Sequence, residues 1–121
     1  MRIYGGEINL CTNSDGIEAN CHIYIHGGKL NIFREGAGPN EPIDHDGNFI
    51  LLNSEILGVG TGGLEQVHKG VKKGNQMYAY YSGNIQKNKV LEILDDKESY
   101  ANGGKITKDI NYISFTSSRL N

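Results

Sequence analysis

At 121 residues the chain has the length of one domain, enough for one hydrophobic core, and its 17 glycines against 2 prolines and no tryptophan mark many tight turns. Twelve basic and fourteen acidic side chains leave a net charge of -2, without the positive excess that gathers a phosphate backbone. The longest apolar runs, such as Phe49-Ile50-Leu51-Leu52, fall far short of the roughly 20 residues of a membrane-spanning helix, so neither nucleic acid nor membrane insertion is expected.

The opening Met1-Arg2-Ile3-Tyr4-Gly5-Gly6 lacks the apolar stretch and cleavage site of a secretory signal and already reads as patterned structure, as though the chain began inside a longer protein. Ile3-Tyr4-Gly5-Gly6-Glu7-Ile8-Asn9-Leu10 then returns 22 positions on as Ile25-His26-Gly27-Gly28-Lys29-Leu30-Asn31-Ile32. Cys11 and Cys21 are compatible with one disulfide and equally with two thiols, and do not fix the compartment.

A second register has an offset of 26: Asp15-Gly16-Ile17-Glu18-Ala19-Asn20 falls on Glu41-Pro42-Ile43-Asp44-His45-Asp46, and Ile23, Tyr24 and Ile25 fall on Phe49, Ile50 and Leu51. The extra residues sit in the loop Gly36-Ala37-Gly38-Pro39-Asn40. Ile8, Leu10, Leu30 and Ile32 alternate with Asn9 and Asn31, the period of two of a strand with one buried face. Asn53 aligns with Gly27, and Asn and Gly are the residues that most readily enter the left-handed conformation of a tight corner.

Like residues above like residues at a coil-length offset predict a solenoid. The expected fold is all-β: a right-handed parallel β-helix of two to three coils over residues 1–60, with a β-rich C-terminal cap of the same domain over 61–121. Gly58-Val59-Gly60-Thr61-Gly62-Gly63 reads as a break, and strands are expected over 77–81, 89–94 and 112–115, separated by turns at Ser82-Gly83-Asn84 and Asn102-Gly103-Gly104. The cap would cover the open end of the coils, which would otherwise offer a strand edge to another chain.

In such a stack Glu18 and Asn20 of one coil lie about 4.8 Å from Asp44 and Asp46 of the next, with Asp15 over Glu41 at the corner. Two carboxylates at that spacing repel by roughly 3 kcal/mol at an effective dielectric of 20, and neither segment contains a Lys or Arg to offset this. A hard dication with six to eight oxygen ligands does so, and makes calcium the expected cofactor, with Asp15, Glu18, Asn20, Glu41, Asp44 and Asp46 as candidate ligands. The competing reading is a solvated, salt-screened acidic face. His22 and His26 lie about 13 Å apart if the segment is a strand, too far to share a zinc ion, whereas His45 sits within the acidic ladder.

Asp15-Gly16-Ile17-Glu18-Ala19-Asn20, the turn Ile25-His26-Gly27-Gly28 and Pro42-Ile43-Asp44-His45-Asp46-Gly47 resemble a bacterial family of carbohydrate-binding parallel β-helix domains whose fold is akin to that of pectate lyases. Gly62-Gly63-Leu64-Glu65-Gln66, Val90-Leu91-Glu92-Ile93-Leu94-Asp95-Asp96 and Tyr112-Ile113-Ser114-Phe115-Thr116-Ser117-Ser118 resemble its terminal β segment. The resemblance implies calcium held by Asp15, Glu18, Asp44 and Asp46. It also implies binding of acidic polysaccharide such as polygalacturonate, and also cellulose, in an extracellular or cell-surface setting. Glu18, Asn20, His45 and Arg119 depart from the family's pattern.

The function expected is a non-catalytic, calcium-dependent carbohydrate-binding module without catalytic residues, with tyrosines among Tyr78, Tyr80 and Tyr81 as sugar platforms or, alternatively, as sheet packing. The alternatives are a polysaccharide lyase or hydrolase on the same scaffold, for which Lys29 and Arg34 are the bases nearest the acidic segments, and a structural solenoid that self-associates end to end.

Overall fold

The computed structural model describes residues 1–12, 17–19, 22–34, 43–45, 47–61, 71–73 and 77–118, and for 17–19, 43–45 and 71–73 the backbone alone. The first half forms β1 (Arg2–Ile3), β2 (Glu7–Thr12), β3 (Ile17–Ala19), β4 (Ile23–His26), β5 (Lys29–Arg34), β6 (Ile43–His45), β7 (Phe49–Leu52) and β8 (Glu55–Gly60). The second half adds β9 (Val71–Lys73), β10 (Met77–Ile85), β11 (Val90–Leu94), β12 (Tyr100–Lys105) and β13 (Ile110–Ser117). Among the described residues no helix is long and apolar enough to cross a membrane.

Both sequence offsets reappear as parallel registers. Arg2 lies opposite Tyr24 and Ile8 opposite Leu30, while Ile17 pairs with Ile43, Ile23 with Phe49 and Leu30 with Ile56. The corners between them use the residues the alignment equates: Asn53 has a φ of 51° and Gly27 one of 106°. At the adjoining Gly28, with a φ of 84°, a Cβ would stand 2.9 Å from Gly5 C and Gly6 O, so a side chain is excluded by space as well as by conformation.

The right-handed parallel β-helix is nevertheless overturned. Among the described residues the strands fall into several separate flat sheets, ordered β1-β4-β7-β9, β10-β13-β8-β5-β2, β11-β12 and β3-β6, and form no closed or coiled β-helix. The physical reason lies in the second half of the chain. β13 pairs antiparallel with β8, and β10 antiparallel with β13, so the five-stranded sheet is mixed. Both of its faces are covered, whereas the wall of a solenoid encloses its core on one face only.

On one face Leu30, Ile32 and Ile56 pack against Ile23, Ile25, Phe49 and Leu51 of the four-stranded sheet, all between 0% and 2% exposed. Burial of each such side chain stabilises by about 1.5–3 kcal/mol. On the other face Leu57, Val59, Ile113 and Phe115 form a second core with Ile106 and Ile110, onto which Leu91 and Ile93 of the β11–β12 hairpin fold. Strand alternation explains the split: along β8 the successive side chains of Ile56 and Leu57 enter opposite cores.

Glycines of three segments expected as turns or breaks lie within strands. Gly58 and Gly60 lie buried inside β8, and Ser82-Gly83-Asn84 lies inside β10 at a shift in its register with β13. Asn102-Gly103-Gly104 lies inside β12, where a Cβ on Gly103 would collide with the Leu91 carbonyl oxygen and one on Gly104 would stand 3.1 Å from the Phe33 ring. Glycine serves there for close approach rather than for reversal. The reversal occurs at Asp95, whose Oδ1 accepts from the backbone N–H groups of Lys97 and Ser99, each at 2.9 Å.

Candidate functional site

The outward side of the β1–β4 pair carries a row of exposed rings and charge. Tyr24 and His26 alternate along β4 with buried Ile23 and Ile25, and the parallel register sets Arg2 beside Tyr24. The Arg2 guanidinium carbon lies 5.4 Å from the Tyr24 ring centroid, a cation–π contact on a half-buried ring. Tyr4 is 66% exposed and meets His26 edge-on at 5.9 Å, and His26 in turn meets Tyr24 edge-on at 6.5 Å. His22 completes the row, 5.9 Å from Tyr24.

Two interactions set the chemistry of this face. A side-chain hydrogen bond with Tyr4 holds the Arg2 guanidinium above its already high range, so the cation persists at every working pH. The Asn48 backbone N–H donates to His22 Nδ1 at 2.8 Å, which assigns the ring proton of the neutral imidazole to Nε2. The face therefore offers a planar cationic fork, a ring-nitrogen donor and exposed aromatic surface side by side.

Of the acidic residues named from the sequence, Glu18 and Asp44 occupy paired positions on β3 and β6. Adjacent parallel strands lie about 4.8 Å apart, the separation expected for the ladder. His45 pairs with Ala19. Asp15, Asn20, Glu41 and Asp46 lie outside the described residues, as does Cys21 with the question of its pairing to Cys11. Among the described residues no group of three or more His, Cys, Asp or Glu side chains could hold a metal ion.

Lys29 and Arg34, the nearest bases for a lyase, are engaged internally. Lys29 Nζ stands 3.8 Å from Glu55 Oε2, and Arg34, 2% exposed, donates to Thr61 O at 2.6 Å and Thr61 Oγ1 at 2.9 Å. Glu55 is buried and accepts from Asn102 Nδ2 and Ser117 Oγ, each at 3.3 Å. Asn102 also donates to Asn31 Oδ1 at 2.9 Å, and Asn31 to Asn9 Oδ1 at 2.8 Å, a row of carboxamides that ties β12 to β5 and β2.

No family model, no curated protein and no solved structure matches this chain.

The tyrosines fall into two groups. Tyr80, 61% exposed, lies nearly parallel to Tyr112, with centroids 5.9 Å apart and 5° between planes. Tyr78 lies 6.1 Å from Tyr80 and packs against the first core, and its burial, with Tyr80 beside it, pushes its hydroxyl up to about 12. Between β10, β13 and the hairpin a groove of about 460 Å³ is lined by Met77, Tyr81, Leu91, Ile93, Ile113 and Phe115.

Sequence reasoning missed Arg2, Tyr4 and Tyr24 as a unit with the two histidines. The signal was present in the repeat. The same offset that stacks Ile3 on Ile25 also sets Arg2 against Tyr24 and carries Tyr4 to the level of His26 on the outward face.

Proposed function

We propose that the chain is a non-catalytic carbohydrate-binding module for an acidic polysaccharide of the polygalacturonate type, working at the cell surface or outside the cell. The observation that carries this reading is the Arg2 guanidinium over Tyr24, between exposed Tyr4, His22 and His26. A uronate carboxylate accepts two parallel hydrogen bonds from a guanidinium, while the C–H face of the sugar ring covers an aromatic ring and its hydroxyls take the imidazole donor. The engagement of Lys29 and Arg34 in internal contacts favours binding over elimination chemistry.

Calcium belongs to the same reading. Glu18 and Asp44 in register, with Asp15, Asn20, Glu41 and Asp46 from the flanking segments, supply the oxygen-rich donor set a hard cation takes. When bound, the ion neutralises the ladder and adds a positive centre for uronate groups.

The test is titration calorimetry and pull-down with polygalacturonate at millimolar calcium. Binding is expected, weakened at least tenfold by Arg2→Ala or Tyr24→Ala and unchanged by Tyr80→Ala. Absence of binding, or binding indifferent to Arg2 and Tyr24, would overturn the proposal.

A further inference from the structure

We infer that Lys29 and Asn102 become joined by an internal amide cross-link, formed by attack of the Lys29 amine on the Asn102 side-chain carbonyl; the inference is independent of the polysaccharide reading. One carboxylate oxygen holds both partners. Lys29 Nζ lies 3.8 Å from Glu55 Oε2, and Asn102 Nδ2 donates to the same oxygen at 3.3 Å. Lys29 stands on β5 and Asn102 on β12, so the bond fastens the hairpin to the five-stranded sheet.

A lysine is a nucleophile only as the neutral amine, and the buried Glu55 carboxylate is the base beside it. Transfer of the proton removes both charges from a place where ions are costly to hold. The Asn102 carbonyl oxygen accepts from the Gly103 backbone N–H at 2.7 Å, a donor fixed where negative charge develops as the amine adds. The leaving nitrogen, Nδ2, already rests on Glu55, which passes it the proton given up by Nζ. The Nζ–Cγ bond forms and the Cγ–Nδ2 bond breaks. The lysine ammonium and the carboxamide become a secondary amide and one ammonium ion, and Glu55 returns to a carboxylate, so atoms and charge balance without an oxidant or co-reactant.

Burial protects the reaction. Asn102 is 2% exposed, so the water that would divert the same carbonyl to an acid is kept away, while the partly exposed Lys29 stem has the freedom to swing from Glu55 onto the carbonyl carbon. Asn31, on the same strand as Lys29, presents its Nδ2 to Asn9 Oδ1 instead of to Glu55, which selects Asn102 as the acceptor. The product keeps one N–H for Asn31 Oδ1, so the carboxamide row survives the reaction.

Mass spectrometry of the whole folded chain should find its 13.3 kDa mass lower by one ammonia. Trypsin should leave residues 3–34, uncut after Lys29, joined to residues 98–105 in one branched peptide. Lys29→Arg keeps a cation beside Glu55 but cannot form the bond. It should restore the full mass and lower Tm by roughly 10 °C, because the link closes a loop of about 70 residues in the unfolded chain. The same background separates the hydrogen-bond energies of the carboxamide row from that of the link. Glu55→Gln should also leave the side chains unlinked, and Lys29→Arg, at a partly exposed position, decides if that variant does not fold. Asn102 followed by Gly103 can lose ammonia by ring closure onto the Gly103 nitrogen, but that product keeps the cleavage after Lys29 and persists in Lys29→Arg. Full mass in the unaltered chain, absence of the branched peptide, or an ammonia loss that persists in Lys29→Arg would each overturn the inference.

Discussion

Truncating the three asparagines of the carboxamide row to alanine, one at a time, should give sharply graded losses of stability, although each deletes the same chemical group. Asn102 is 2% exposed, and its loss leaves the Asn31 Oδ1 without its donor and Glu55 Oε2 without one of its contacts, both in the interior. A buried polar group stripped of its partner costs about 1–3 kcal/mol, and Glu55 keeps Ser117 and Lys29, so Asn102→Ala should cost about 3 kcal/mol. Asn31→Ala leaves Asn102 its bond to Glu55 and strips only Asn9, which water reaches, for about 1.5 kcal/mol. Asn9→Ala, at the exposed end, should cost about 0.5 kcal/mol. Urea denaturation followed by circular dichroism gives all three numbers if the m-value is unchanged. For a chain of this length the unfolding entropy converts 3 kcal/mol into a Tm decrease of about 12 °C. A loss below 1 kcal/mol for Asn102→Ala, or one no larger than that for Asn9→Ala, would refute the assignment of the row as a buried, satisfied network.

Gly28→Ala should destabilise by more than about 2 kcal/mol, through its positive φ and the backbone of Gly5 and Gly6 at 2.9 Å, while Gly5→Ala, with open space around its Cβ, should be close to neutral in the same melts. Stability should also fall at alkaline pH. The Tyr78 hydroxyl sits at about 12 in the fold against 10 unfolded, so its contribution is complete below pH 10 and is lost as pH rises toward 12. Because the ring is half-exposed, the loss should be of the order of 1 kcal/mol, and absorbance titration near 295 nm should show a late component that disappears in Tyr78→Phe. For calcium, a concentration one hundred times its dissociation constant should add about 2.7 kcal/mol and raise Tm, an effect reversed by chelator and reduced by Glu18→Gln or Asp44→Asn. Melts identical with calcium and chelator would remove calcium from the proposed function.

Much of the strand pairing in the first half was legible in the sequence because a parallel register repeats residue types at a fixed offset. The pairs Ile8 with Leu30 and Glu18 with Asp44 follow from the chain alone. The candidate face was legible only in part. His22 and His26 stood out as histidines, but what makes them a site is their position beside Tyr24 and Tyr4, with Arg2 over the Tyr24 ring. The glycine segments misled for a definable reason: glycine marks both a turn and a point of close approach, and Gly103 against the Leu91 carbonyl is the second kind.

The local period of two and the offsets of 22 and 26 determined which residues form strands, which side chains face inward and which strands of the first half lie next to one another. They could not determine that β13 would lie antiparallel against β8, or that the β11–β12 hairpin would fold over the far face of the five-stranded sheet. Those pairings join residues that share no repeat. They are selected by the burial of Leu57, Val59, Ile113 and Phe115, side chains whose alternation is the same whichever partner covers them. Tertiary packing thus turned strands that read as coils of a solenoid into separate flat sheets with two cores.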